Sequence, residues 1–197
     1  MKRHDILNRF ISERNYQTYL EIGVENGDTL NRISTPVRVS VDPDYNTHPT
    51  YQMPSDAFFK LNKNNFDIIF IDGLHEAHQV YRDIKNSLRI LNKNGVIVLH
   101  DCLPTTERMQ ERHDTSQYGY AWTGDVWKAF VKARSELPYR MYTIDTDFGC
   151  GVIDTAEKGT AKPDMPNDID TMTYEQFVQN RNEWMNVVPD MNASERA

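Results

Sequence analysis

Residues 19–30 read YLEIGVENGDTL, an apolar run that opens into two glycines, Gly23 and Gly27, with carboxylates at Glu21, Glu25 and Asp28 around them. The pattern predicts a short strand over 18–24 and a tight turn at ENG. It also predicts a helix through DTLNRIS, with Asp28 as its N-cap and Pro36 as its stop. VRVSVDPDY then supplies a second strand, Val37 to Val41, ended by Asp42 and Pro43. The alternation returns in FDIIFIDG, residues 66–73, an apolar run suited to a strand buried on both faces. EAHQVYRDIKNSLRIL follows as a helix that Asn94 and Gly95 terminate, and GVIVLHD is the next buried strand. Ile6, Leu7, Phe10 and Ile11 recur at helical spacing, which predicts an amphipathic helix over residues 3–14. Strands joined by helical crossovers dictate an α/β fold, an open, mostly parallel sheet with helices on both faces.

Further on, residues 103–123 read as a long polar and aromatic loop, and GDVWKAFVKARSEL as a helix. YRMYTID and GCGVID are two short strands across a TDFG turn, an antiparallel pair at the sheet edge. One domain over 1–155 is expected, followed by a 156–197 segment whose polar linker leads to a last helix, YEQFVQNRNEWMNVV. That helix can cap the core or pair with another subunit of a homo-oligomer.

Composition excludes several functions. The 197 residues are 39% hydrophobic and 26% charged, enough for a packed core, and the net charge is −7 with no basic block. Such a surface does not grip nucleic acid or an anionic membrane by charge, so a small-molecule partner is expected. Cys102 and Cys150 have no metal-binding spacing, and no run can serve as a signal peptide or span a bilayer. Reduced thiols and a cytoplasmic location follow as expectations.

In an open α/β sheet ligands bind beyond the carboxyl ends of the strands, and the glycine turn stands there. Its pattern, E-x-G-x-x-x-G, lacks the third glycine of a dinucleotide-binding turn, and Glu21 would repel a pyrophosphate. A cationic ligand with an amino acid tail fits better, and S-adenosylmethionine is one. Asp42, at the end of the next strand, is placed to accept the hydroxyls of a ribose.

YLEIGVENGDTL with VDPDY resembles the first two motifs of the class I S-adenosylmethionine-dependent methyltransferases. The block FDIIFIDGLHEAHQVYRDIKNSLRILNKNGVIVLHDC is similar to a branch of small-molecule O-methyltransferases that carry a D-G-x-H element after the fourth strand. GDVWKAF and DTDFGCGVI also look similar to that branch, so the likeness extends over residues 15–155. It implies a Rossmann-like sheet of about seven strands with the last antiparallel. It further implies that Glu21, Gly23 and Gly27 line the methionine end of the cofactor, that Asp42 holds the ribose, and that Ser55 and Asp56 sit near the adenine. Ser55 and Asp56 equally suit a helix cap.

Asp72 and Asp101 end neighbouring strands, with His75, His78 and His100 close by, so carboxylates and imidazoles converge on one rim. Methyl transfer to oxygen needs a nucleophile stripped of its proton. A neutral histidine can take it, or a divalent cation, Mg²⁺ or Mn²⁺, held by Asp72, Asp101 and His100 can lower the hydroxyl pKa. Asp72, His75, His100 and Asp101 are therefore the catalytic candidates, and Asp72 also borders the cofactor; His78 reads as a surface residue. His113, Tyr118, Tyr120 and Trp122 in the long loop are candidates to stack on the acceptor. The expected activity is methyl transfer to a hydroxyl of a small acceptor, a sugar or glycan-related metabolite. The rival expectations are an NAD-dependent oxidoreductase on the same sheet and a non-catalytic nucleoside-binding domain.

Overall fold

The computed structural model describes residues 1–114, 116–159, 162–166 and 168–190, apart from the side chain of Tyr118. Within them the chain runs α1 (Arg3–Arg14), β1 (Thr18–Ile22), β2 (Val37–Asp42), β3 (Tyr51–Gln52), α2 (Ser55–Leu61), β4 (Phe66–Ile71), α3 (Ala77–Ile90) and β5 (Leu91–Leu99). It continues through α4 (Val126–Glu136), β6 (Tyr139–Ile144), β7 (Cys150–Lys158), α5 (Tyr174–Met185) and β8 (Val187–Val188). One eight-stranded sheet results, in the order β3-β2-β1-β4-β5-β7-β6-β8. All pairs are parallel except those of β7, which lies antiparallel to both β5 and β6.

Alternate residues of the central strands supply opposite faces of the sheet. Leu20, Ile69 and Ile97 are buried on one side under α2, α3 and α4, while Tyr19, Ile68, Val96 and Val98 pack on the other with Ile6, Leu7, Phe10 and Ile11 of α1. This two-sided burial explains the continuous apolar runs in the sequence.

The structure corrects four local expectations. DTLNRIS forms only a three-residue 3₁₀ turn, Leu30–Arg32, preceded by Thr29 rather than capped by Asp28. The stretch before Pro36 is too short to repay helix nucleation. Helix α3 stops at Ile90 and passes directly into β5, so Asn94 (φ 64°) sits inside an irregular strand start where the pairing jumps from Phe66–Leu91 to Ile68–Val96. The β6–β7 pair does not finish the sheet, because β8 adds a parallel strand outside β6. That strand comes from the end of the expected last helix, which Asn186 breaks with a φ of 47°. Beside it, Phe177 and Trp184 of α5 pack on the buried Trp127 of α4, with ring centroids 4.7 and 6.0 Å away.

Candidate active site

Successive strand ends are stitched together one residue beyond the sheet. Gly23 N donates to Val41 O at 2.9 Å, Asp72 N to Ile22 O at 2.8 Å, and His100 N to Ile71 O at 3.1 Å. The carboxyl ends of β2, β1, β4 and β5 thereby present the glycine turn, Asp42, Asp72 and His100 to one cavity of about 680 Å³. That volume suits a nucleoside with a tail.

The glycine turn is held from its neighbour. Asp42 Oδ2 accepts from Val24 N at 2.8 Å and Oδ1 from Asp44 N at 2.7 Å, so this carboxylate fixes the turn and faces the cavity as well. Gly23 (φ 87°) is on the cavity wall, whereas Gly27 (φ 78°) is buried in the turn behind it. Glu21 is 1% exposed and accepts the hydroxyl of Tyr19, two residues earlier on the same strand face. Burial pushes its carboxyl up to about 8. Folded protein then keeps a proton that the unfolded chain releases above pH ~4.5, so stability falls as pH rises from there to about 8. Denaturant titrations at pH 6 and pH 8 are expected to show a loss per pH unit that is about 1 kcal/mol steeper in the wild type than in Glu21→Gln; equal slopes in both proteins would refute the assignment.

Ser55 opens α2 but does not cap it; Pro54 holds the cap position. The Ser55 hydroxyl donates to Asp83 Oδ1 at 2.8 Å, and Gln79 Nε2 reaches the same oxygen at 3.0 Å. Burial raises the Asp83 carboxyl to about 6. Asp56 is also on the cavity wall, 3.6 Å from Arg82 Nε.

At the ends of β4 and β5 the four catalytic candidates meet. His75 Nε2 lies 3.5 Å from Asp72 Oδ1 and 3.4 Å from Asp101 Oδ2. His100 Nδ1 lies 3.3 Å from Asp72 Oδ1 and 3.2 Å from Asp101 Oδ2. Burial opposes a charge on either ring, but the carboxylates outweigh it and raise both histidines, His100 most strongly. Burial likewise disfavours the Asp72 anion, and His100 overcomes it, holding Asp72 far below the usual carboxylate range. Asp101 adopts φ 59°, a left-handed conformation uncommon outside glycine that aims its side chain at the two rings. His75 Nδ1 is buried without a hydrogen-bond partner, and its ring stacks on Trp122 with centroids 4.7 Å apart.

The metal reading changes in one ligand. Asp72, His75 and Asp101 offer donor atoms within 4.8 Å of one another. His100 faces the same two carboxylates through Nδ1, while its Nε2 lies 3.6 Å from Asp147 Oδ2 and 3.3 Å from Arg3 Nη1.

Of the loop candidates, Trp122 reaches the cavity wall, and its Nε1 donates to Glu111 O at 2.6 Å. His113 is exposed and pairs with Glu111 at 2.9 Å, and Tyr120 lies under the Arg108 guanidinium at 4.3 Å, both away from the wall. Tyr118 ends a 3₁₀ turn, and its side chain lies outside the described residues. His78 is exposed beside Asp170, as a surface histidine should be.

Sequence reasoning missed Arg3, Gln79, Asp83 and Asp147. Arg3 and Asp147 join the cluster across 144 residues of chain, so no local spacing connects them. Asp83 carried a faint signal, an acid on the otherwise apolar face of α3.

Residues 39–102, the stretch from β2 through β4 to the rim of β5, match the family described as methyltransferase domain. The match spans about a third of the chain, and over that stretch the sequence is similar to a methyltransferase domain. Solved structures share its fold: an O-methyltransferase from Bacillus cereus in complex with SAH is 12% identical, covers 77% of this chain and 80% of its own, and has a TM-score of 0.57. The SAH-bound methyltransferase PaMTH1 of Podospora anserina is 15% identical over 77% of both chains, with a TM-score of 0.58. No curated protein sequence matches the chain. β7 lies antiparallel between β5 and β6, the antiparallel seventh strand that the resemblance implied. Among the described residues no helix is long and apolar enough to cross a membrane.

Proposed function

We propose that the protein moves the methyl group of S-adenosylmethionine to a hydroxyl oxygen of a small acceptor, a sugar or glycan-related metabolite. The observation that carries this reading is one cavity with two chemically different ends: the glycine turn with Glu21 and Asp42, and the half-buried Asp72–His75–Asp101 cluster. Nine carboxyl side chains line that cavity against one guanidinium among the described residues. A sulfonium with an ammonium tail suits such a wall; a pyrophosphate does not, which disfavours the nicotinamide alternative.

In the proposed step the acceptor oxygen attacks the methyl carbon in line with the C–S bond, that bond breaks, and its electrons stay on sulfur as S-adenosylhomocysteine forms. His75, neutral in its reactive form, keeps its Nε2 proton toward Asp72 and Asp101 and takes the hydroxyl proton at Nδ1, the ring nitrogen without a partner. Trp122 fixes the ring by stacking and shields it from water. The test is mass spectrometry of a panel of sugars incubated with enzyme and cofactor. A product heavier by one methyl supports the reading, and methylation confined to amines would sink it.

A divalent cation is a second way to activate the hydroxyl, favoured by the mutual approach of Asp72, His75 and Asp101. Two carboxylates with an imidazole suit Mn²⁺ better than Mg²⁺. Bound there, the ion would act as a Lewis acid on the acceptor oxygen. Chelation is then expected to lower turnover by about tenfold or more, with Mn²⁺ restoring it; unchanged turnover in chelator would leave His75 as the sole activator.

A further inference from the structure

We infer that Arg3, at the first turn of α1, reads the carboxylate of the cofactor's amino acid tail. The inference rests on S-adenosylmethionine being the cofactor. Arg3 lies on the cavity wall between Asp72 and Thr29, the residue just past the glycine turn, and so at the end where Glu21 is buried. Its guanidinium is held before any ligand arrives: Nε donates to Thr29 Oγ1 at 2.9 Å and Nη1 to Asp147 Oδ2 at 3.2 Å. Neither bond uses Nη2, and no described residue accepts from it. A guanidinium fixed through Nε and Nη1, with the Nη2 protons unclaimed by any described residue, is prepared for an oxygen anion.

The backbone keeps it there. Arg3 N, the first amide of the helix, donates to Asp147 Oδ2 at 3.1 Å, and Lys2 Nζ pairs with Asp147 Oδ1 at 2.8 Å. Thr146 donates its hydroxyl to Met1 O at 2.6 Å, so the β6–β7 turn grips the chain on both sides of Asp147. Asp147 and Phe148 adopt φ of 49° and 60° in that turn, a strained backbone that aims Asp147 inward. Apart from the two imidazoles, which Asp72 and Asp101 already pair, every other charged side chain on the wall is a carboxyl, so Arg3 is the one guanidinium open to a ligand carboxylate.

Titration calorimetry with S-adenosylhomocysteine and with 5′-methylthioadenosine, which keeps the nucleoside and thioether but lacks the amino acid, separates the outcomes. Arg3→Gln is expected to weaken S-adenosylhomocysteine by about 10- to 100-fold while leaving 5′-methylthioadenosine within about threefold. Arg3→Lys should recover part of the loss, since it restores charge without the planar fork. Unchanged S-adenosylhomocysteine affinity, or equal losses for both ligands, would overturn the role. Should Arg3→Gln fail to fold, wild-type protein decides with decarboxylated S-adenosylhomocysteine, which retains the ammonium: a loss of at least about tenfold is expected, and equal affinity overturns the inference. Wild-type protein that binds neither adenosyl ligand removes the cofactor reading itself, and this inference with it.

Discussion

Gly23→Ala is expected to cost about 3–5 kcal/mol of stability, a large part of what a domain of this size has. A Cβ at Gly23 would lie 2.1 Å from Asp72 O and 2.5 Å from the Gly73 Cα, and backbone at neighbouring strand ends cannot swing aside. The φ of 87° adds the left-handed penalty that any side chain pays, about 1–2 kcal/mol. Gly27→Ala is the matched comparison: its φ of 78° carries similar strain, but its Cβ meets only the Asn31 amide at 3.0 Å, the end of a movable side chain. About 1–2 kcal/mol is expected there. Urea unfolding of the two variants checks both values, and a Gly23→Ala loss no larger than that of Gly27→Ala would contradict the close approach of the β1 and β4 exits.

Asp101→Asn is expected to lower turnover by about 10²- to 10⁴-fold and leave S-adenosylhomocysteine affinity within about threefold. Asparagine tolerates the φ of 59° that Asp101 adopts, so the backbone survives the exchange. What disappears is the negative charge facing His75 Nε2 at 3.4 Å and His100 Nδ1 at 3.2 Å. His100 keeps Asp72 and Asp147 as partners, so its charge is not abandoned in the interior. Steady-state kinetics with an acceptor from the sugar panel, beside calorimetry of the same preparation, reads both quantities. Full turnover by a folded Asp101→Asn enzyme would remove the carboxylate pair from the mechanism.

The sheet was legible because both of its faces are covered. The nearly continuous apolar runs at 66–71 and 96–99 suit buried strands, and Asp72, Gly73, His100 and Asp101 end them where the cavity opens. Asp72, His75, His100 and Asp101 were legible for the same reason, since parallel neighbours must bring residues past their ends to a common rim. The loop was not. Tyr120 and His113 look like acceptor contacts in the sequence, but their direction depends on Arg108 and Glu111, pairings no periodicity records. That His75 groups with Asp72 and Asp101, and that Arg3 and Asp147 engage the far nitrogen of His100, also lay beyond the sequence. Long-range ion pairs of this kind leave no local pattern, and Lys2 and Arg3 resemble any solvated helix start.

The glycine turn can be tested without an acceptor. Calorimetric titration of the wild-type protein with S-adenosylhomocysteine, and in parallel with NAD, addresses the cavity directly. The account predicts one S-adenosylhomocysteine site per chain with a dissociation constant on the order of micromolar, lost in Asp42→Ala, and no heat from NAD. Folded protein that binds NAD, or that leaves S-adenosylhomocysteine unbound, would contradict it.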